Sequence, residues 1–119
     1  MSQVKRVESY FLNQYGDAIE YEKRYKKRKS EGNVSEVMES RRKKYRRRMN
    51  QVKKAIAGLD RERDREIVTA RCIDGASWEE IGRIQGVTPA TASRYYFRII
   101  QKIKVPEEVK KEYAEKLER

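Results

Sequence analysis

The spacing of apolar residues predicts a helix at the start of the chain. Apolar residues recur there every three or four positions, which favours an amphipathic helix from about Gln3 to Lys29. They are Val4, Val7, Phe11, Tyr15, Ala18 or Ile19, and Tyr25. The turn-forming residues from Ser30 to Asn33 interrupt this pattern, and Asn33 with Glu36 has the spacing of a helix cap. The first two helices could therefore fold back on each other as a hairpin.

A second apolar stripe predicts the other helix of this hairpin. Its members are Val34, Val37, Met38, Tyr45, Met49, Val52 and Ile56. Gly58 is expected to end this helix and Asp60 to cap the next, so we place a domain junction there. A third helix from about Arg61 to Ile73 follows and is closed by turn residues. It would support the elements that come after it.

Residues 77–87 have the spacing of a short helix that runs into a tight turn. Ser77 and Glu80 match a capping box, and Ile81 and Ile84 then fall on one apolar face. Gly82 stands where two crossing helices would approach closely. Gly86 stands where the turn needs a backbone conformation that disfavours a residue with Cβ. Val87 would plug this turn, and Trp78 would staple the short helix to the third one.

A further helix is predicted to begin directly after this turn. Thr88 is a good N-cap residue, and Pro89 suits the first helical position because its missing N–H breaks no hydrogen bond. The inward positions of this helix are Ala92, Tyr95 or Tyr96, Ile99, Ile100 and Ile103. The pattern is typical of a helix-turn-helix, the unit that places its second helix in the major groove of DNA. A plain helical hairpin is the alternative.

The chain divides into three predicted regions: 1–58, a basic helical hairpin; 59–104, the helix-turn-helix domain; and 105–119, a helical tail. Val105 and Pro106 end the helix that is predicted to begin after Thr88, and Pro106 can start another helix. In the tail, Val109, Tyr113 and Leu117 recur every four residues. This tail could cover the core or form a dimer contact. The predicted fold class is all-α.

Charge is unevenly distributed between these regions. The net charge is +11, enough to draw the protein towards polyanions. Residues 1–59 carry 17 Lys/Arg against 7 Asp/Glu, whereas residues 60–119 carry 13 against 12. The densest basic segment gives the candidates for contact with the DNA backbone: Arg41, Arg42, Lys43, Lys44, Arg46, Arg47 and Arg48. The alternative is that this segment is simply a solvated helix.

The composition argues against catalysis. The chain has no histidine, which excludes a Ser-His-Asp triad and a histidine metal site. Cys72 is the single cysteine, so we expect a small buried residue and no disulfide. We therefore expect no enzyme activity, cofactor or metal. The chain also has no apolar run long enough to span a membrane, which favours a cytoplasmic protein.

The segment LDRERDREIVTARCIDGASWEEIGRIQGVTPATASRYYFRIIQKI, residues 59–103, resembles the helix-turn-helix of sigma-70 region 4. With its basic helical N-terminal half, so short a chain looks more like the phage late-transcription regulators of the ArpU/RinA type than like a full sigma factor. The resemblance implies a recognition helix from Thr88 to Lys102. It also implies activation of phage late genes, upstream of packaging functions, in a bacterial host.

The predicted function is sequence-specific binding of double-stranded DNA to regulate transcription. The DNA-facing candidates are Thr88, Ala90, Thr91, Ser93, Arg94, Arg98 and Lys102. We expect Thr91 and Arg94 to contact base edges, and Ser93 and Arg98 to contact phosphates. A homodimer and RNA polymerase are further candidate partners. Two alternatives remain open: a DNA-packaging component such as a small terminase subunit, and a module that docks on RNA polymerase without recognising DNA itself.

Overall fold

The computed structural model describes residues 6–118 as an all-helical protein, which confirms the predicted fold class. Its helices are α1 (Val7–Ser30), α2 (Glu36–Ala57), α3 (Glu62–Cys72), α4 (Trp78–Gln85), α5 (Pro89–Ile99) and α6 (Glu107–Leu117). A 3₁₀ turn, Ile100–Lys102, continues α5. The predicted start near Gln3, with Val4, lies outside the described residues. None of the helices described is both long and apolar enough to cross a membrane.

The first two helices form the predicted antiparallel hairpin. Their connection turns at Gly32, which has a φ of 70°, a value that glycine adopts without steric cost. The cap of α2 is Ser35 rather than Asn33, because the Ser35 hydroxyl accepts a hydrogen bond from the Met38 amide at 3.3 Å. The prediction placed the cap too early. Asn33 instead donates its own amide to the Arg28 carbonyl, which closes the end of α1.

One apolar core joins the hairpin to the rest of the protein. The side chains of Phe11, Leu12 and Val52 are 0% exposed and lie in the same cluster as Ile67 and Ile81. The other members are Tyr15, Ile56, Leu59, Val68, Ala92, Tyr96, Ile99, Ile100, Ile103, Val105 and Val109. Gly58 does end α2 as expected, yet the core continues across this position. Helix α6 contributes Val109, so the tail covers part of the core.

Two sequence-based expectations about this region were wrong. Val37 was placed in the apolar stripe of α2, but 63% of it is exposed, and the neighbouring Met38 is the half-buried residue at this point. Leu117, which continues the apolar pattern of Val109 and Tyr113 in the tail, is also 63% exposed. Asp60 does not cap α3. That helix begins at Glu62 after Arg61, and no side chain caps it.

The outer half of the hairpin is held by tyrosines and charged groups rather than by the shared core. The rings of Tyr21 and Tyr45 lie 4.9 Å apart between their centroids. Arg42 donates to the Glu22 carboxylate at 2.8 Å, and its guanidinium lies 4.2 Å from the centroid of the Tyr25 ring. This bidentate hydrogen bond lowers the pKa of Glu22. The outer half is therefore stabilised by buried tyrosine rings together with a partly exposed ion pair.

Candidate nucleic-acid interface

The turn between α4 and α5 depends on two glycines. Gly86 ends α4 with a φ of 72°, in the left-handed region that disfavours side chains. A Cβ added to Gly82 would lie 2.6 Å from the backbone oxygen of Val87, too close for any other residue to fit without a shift. The Val87 amide donates to the Gly82 carbonyl at 2.8 Å. These contacts confirm the predicted roles of both glycines and fix the angle between the helices.

Both helices of the unit begin at capping side chains. The Ser77 hydroxyl accepts from the Glu80 amide at 3.1 Å, and the Glu80 carboxylate accepts from the Ser77 amide at 3.0 Å. This reciprocal pair is the predicted capping box, and its backbone hydrogen bond lowers the pKa of Glu80. The Thr88 hydroxyl accepts from the Thr91 amide at 3.1 Å, and Pro89 is the first residue of α5. The Thr88 cap and Pro89 thus fix the residue at which α5 begins.

Aromatic packing positions α5 on the elements beneath it. Tyr96, rather than Tyr95, is the buried member of the pair, and its ring packs edge-to-face on Trp78 with centroids 5.3 Å apart. Trp78 is partly buried and lies under the guanidinium of Arg71 in α3, 4.0 Å from the ring centroid. It therefore joins α4 to α3, as predicted, and to α5 as well.

The single cysteine also lies beneath α5. The Cys72 sulfur lies 2.9 Å from the hydroxyl oxygen of Tyr96. Burial raises the pKa of Cys72 to about 11, although the contact with Tyr96 opposes this shift. Burial also raises the pKa of Tyr96. Both groups stay neutral at physiological pH, which agrees with a packing role for Cys72.

The solvent-facing side of α5 begins with three connected side chains. Thr88 and Arg94 are exposed, and Thr91 lies between them, half-buried. The Thr91 hydroxyl accepts hydrogen bonds from the Thr88 hydroxyl at 2.9 Å and from the Arg94 guanidinium at 3.1 Å. Arg94 is thereby held over the first turn of the helix. Ala90 is exposed beside this group, and Ser93 is half-buried.

Charge along this part of the chain has a single sign. Between residues 81 and 106 there are five basic residues and no acidic one. They are Arg83, Arg94, Arg98, Lys102 and Lys104. Although the net charge of the C-terminal half is nearly zero, α5 itself is positively charged, because the acidic residues of this half lie on other elements. An anionic ligand would be attracted to this face.

Two arginines beside the recognition helix were not predicted. Arg61 and Arg63 line a cleft of about 250 Å³ between α3 and α5 together with Arg98 and Lys102. The Arg63 guanidinium lies 4.7 Å from the centroid of the Tyr95 ring. A count of net charge does not reveal these arginines, because acidic residues alternate with them in DRERDRE, residues 60–66. Their only signal in the sequence is their place at the start of a helix that supports a reading unit.

The basic segment of α2 divides into exposed and paired side chains. Arg41, Lys43 and Arg46 are exposed and form no ion pair with any residue described. Arg42 is engaged with Glu22, as described above. Lys44 and Arg47 remain 64% and 67% exposed and lie 3.7 and 2.8 Å from glutamates of α6. Most of the segment therefore stays accessible to an anion.

Arg48 is not available for the phosphate contact that was expected of it. Its side chain is only 3% exposed. The guanidinium donates to Gln14 at 2.5 Å and to Gln51 at 2.9 Å, and it lies 3.3 Å from the Glu112 carboxylate. Burial would raise the pKa of Glu112, but a hydrogen bond from Tyr10 and the charge of Arg48 lower it overall. Arg48 is a structural residue that joins three helices.

One residue of α4 departs from its predicted position. Ile84 was expected on the buried face with Ile81, but Ile81 is 1% and Ile84 73% exposed. The helix has only two turns, and Ile84 lies in the last of them, next to the turn at Gly86. Ile84 lies at the edge of a shallow groove that Glu62, Glu66 and Asp74 also line.

Residues 49–103 match the family model for Sigma-70, region 4. This segment is a sigma-70 region 4-like helix-turn-helix. The match covers the end of α2 and all of α3, α4 and α5, and it supports a DNA-binding role for the region 4-like unit. Searches among curated proteins and solved structures returned no match to the chain. Within residues 6–118, no group of acidic and cysteine side chains could hold a metal ion.

Proposed function

We propose that the protein binds double-stranded DNA at specific sites and thereby regulates transcription. The observation that carries this proposal is the exposed start of α5, where Thr88, Thr91 and Arg94 form one hydrogen-bonded group on a helix without acidic residues. The major groove of DNA is wide enough to admit a helix, and the N-terminal residues of a recognition helix contact base edges there. The exposed N-terminal residues of α5 support its placement in such a groove.

In this proposal, the residues of the interface have different tasks. Arg94 would donate two hydrogen bonds to guanine, the commonest specific contact of arginine, and Thr91 would contact a neighbouring base. Ser93, Arg98 and Lys102 would bind phosphates and set the position of the helix. Thr88 and Ala90 lie close enough to the same end of α5 to contact the groove. Arg61 and Arg63 extend the phosphate-binding set beside Arg98.

The hairpin would supply attraction that does not depend on sequence. Residues 1–58 carry the exposed Arg41, Lys43 and Arg46, with Lys44 and Arg47 beside them, whereas residues 59–104 read bases and residues 105–119 cover the core. A phosphate contact adds affinity for any DNA sequence and weakens as salt rises. Arg42, which is only 23% exposed and is held by Glu22, and the buried Arg48 are left out of this set. A homodimer would supply two reading helices, since one seldom gives enough specificity.

We further propose that the protein activates late genes of a phage or prophage in the cytoplasm of a bacterial host. The support is the resemblance of a short basic chain with a region 4-like unit to regulators of the ArpU/RinA type. Fragments of the source genome retained by the purified protein at physiological salt would test this, with random DNA as the control. We expect one strongly enriched site upstream of late genes.

The same experiment, together with light scattering and a test for retention of RNA polymerase, separates this proposal from its two alternatives. Enrichment at a packaging site, together with ring-sized oligomers in light scattering, would favour a small terminase subunit. Retention of RNA polymerase without binding of duplex DNA would favour a docking module. Binding to all fragments alike would contradict sequence-specific recognition.

A further inference from the structure

A basic groove lies where the end of the recognition helix meets the end of α2. Its volume is about 410 Å³, and three lysines line it: Lys54 from α2, and Lys102 and Lys104 from the segment after α5. All three are exposed, and no Asp or Glu belongs to the lining. The groove therefore concentrates positive charge at a point that joins the two basic regions of the protein.

Two of these lysines have no counter-charge among the residues described. Lys102 lies 3.5 Å from the carboxylate of Asp64, whereas Lys54 and Lys104 form no ion pair there. Glu108 is bonded to Gln51 of the lining, and its carboxylate accepts hydrogen bonds from Arg47 at 2.8 Å and from Gln51 at 2.7 Å. These hydrogen bonds lower the pKa of Glu108. A bound anion would therefore find Lys54 and Lys104 unoccupied.

The groove continues into a row of basic side chains along α2. Lys43, Arg47 and Lys54 are separated by four and seven residues, so they lie on one face of the helix, opposite Val52 and Ile56 in the core. At 1.5 Å per residue, the row from Lys43 to Lys54 is about 16 Å long. We define the basic strip as Lys43, Arg47, Lys54, Lys102 and Lys104. It runs from the end of the recognition helix onto the hairpin.

We propose that the basic strip binds successive phosphates of one DNA strand, where that strand leaves the major groove at the C-terminal end of the recognition helix. This inference rests on the proposed function, because it requires that α5 lies in the groove. Contact between the DNA backbone and the C-terminal end of a recognition helix occurs in other helix-turn-helix proteins. With one base pair every 3.4 Å, the row on α2 would span roughly five base pairs beyond the site that α5 reads.

The chemistry of the strip favours phosphate over base recognition. Four of its five members are lysines, which act as point charges and lack the planar fork with which arginine recognises guanine. The groove itself has no aromatic residue on which an unpaired base could stack. Duplex DNA, which presents phosphates at regular spacing and keeps its bases stacked, fits these features better than a single strand does.

Paired substitutions of unpaired lysines provide the test. Lys54→Gln with Lys104→Gln removes two charges from the strip, and Lys23→Gln with Lys111→Gln removes two exposed charges from α1 and α6. Titrations with a long random-sequence duplex at several salt concentrations give the slope of log affinity against log salt. We expect the strip variant to reduce this slope by about 1.8, because each lost phosphate contact changes it by about 0.9. The control variant should leave the slope close to that of the unmodified protein.

Duplex length gives a second, independent measurement. On a duplex of about ten base pairs, which holds only the contacts of α5, the strip variant and the unmodified protein should bind alike. Lengthening the duplex should strengthen binding by the unmodified protein and have less effect on the variant. Equal slopes for the strip variant, the control and the unmodified protein would overturn the inference.

The outcome for the strip can be distinguished from that for the proposed function. If the unmodified protein enriches one DNA site and the strip variant keeps its salt slope, only the strip inference fails. If the unmodified protein binds no duplex even at low salt, both fail. A slope that changes on duplex RNA but not on duplex DNA would assign the strip to RNA instead.

Discussion

The helix-turn-helix unit and the outer half of the hairpin are both helical pairs, yet they are held together differently. Between α4 and α5, Gly82 permits backbone contact and Gly86 takes a φ that other residues avoid. Between α1 and α2, the outer contacts are a tyrosine pair and the Arg42–Glu22 ion pair. Backbone sterics at two glycines set the angle of the first pair, whereas tyrosines and a partly exposed ion pair hold the second.

This difference corresponds to what each region would do on DNA. Reading a base requires that a side chain be placed to within a fraction of an ångström, which a rigid turn can provide. Attraction to phosphates requires charge and tolerates movement, because the electrostatic force acts over the Debye length of about 8–10 Å. In this view, the rigid turn between α4 and α5 positions the base-contacting side chains, and the hairpin of α1 and α2 supplies positive charge.

The largest effect should come from the core that the two regions share. We expect Phe11→Ala to lower the free energy of unfolding by about 3–5 kcal/mol, since it leaves a large cavity in the shared core. Urea titration followed by far-UV circular dichroism would measure this loss. Val37→Ala, at an exposed apolar position, should change stability by less than about 0.5 kcal/mol. A helix-turn-helix that kept its stability in Phe11→Ala would show that the regions fold separately.

A pair of glycine substitutions should separate the two kinds of helix contact. Gly82→Ala places a Cβ against the Val87 carbonyl, and we expect a loss of about 1–3 kcal/mol in unfolding free energy. Gly16→Ala makes the same change in the interior of α1, where nothing lies within 4 Å of the new atom. It should stabilise the protein by about 0.5–1 kcal/mol. Thermal unfolding of both variants checks the opposite signs, and equal effects would contradict the role of Gly82.

Loss of Arg94 should weaken specific recognition alone. We expect Arg94→Ala to reduce the binding free energy for the enriched DNA site by about 1–3 kcal/mol and to leave binding of random DNA nearly unchanged. Competition titrations with both DNAs provide the measurement. Arg24→Ala, which removes an exposed arginine from the outer half of α1, serves as the control and should not discriminate between the DNAs. Equal losses of Arg94→Ala on both DNAs would assign Arg94 to a phosphate.

The smallest effect concerns the dependence of the hairpin on pH. The hydrogen bond from Arg42 lowers the pKa of Glu22 below its usual 4.5. The pair therefore stabilises the folded protein above that pH, and this contribution is lost as the pH falls through the lowered pKa. Glu22→Gln should reduce the acid-dependent change in stability by less than about 1 kcal/mol, as expected for a surface pair. Unfolding between pH 3 and 6, with Glu20→Gln as the control, would detect it; an identical pH profile for both variants would remove the pair from the account.

Local rules made the helix-turn-helix predictable, and long-range contacts limited the rest. The caps at Ser77 and Thr88 and the turn at Gly86 follow from residues that are neighbours in sequence. The burial of Arg48 could not be predicted in this way, because its partners Gln14 and Glu112 lie 34 and 64 positions away. The exposure of Ile84 depends on where a short helix points, which periodicity does not specify. The groove at Lys54 and Lys104 likewise exists only in the folded chain.

The contact between Cys72 and Tyr96 makes the reactivity of this thiol a measure of local opening between α3 and α5. A thiol with a pKa of about 11 holds almost no reactive thiolate at neutral pH, and Cys72 is partly buried against Tyr96 of α5. A thiol reagent should modify Cys72 faster when α5 moves away from α3. Since the chain has no other cysteine, the rate of labelling would report how often α5 separates from α3. Bound DNA should slow this rate.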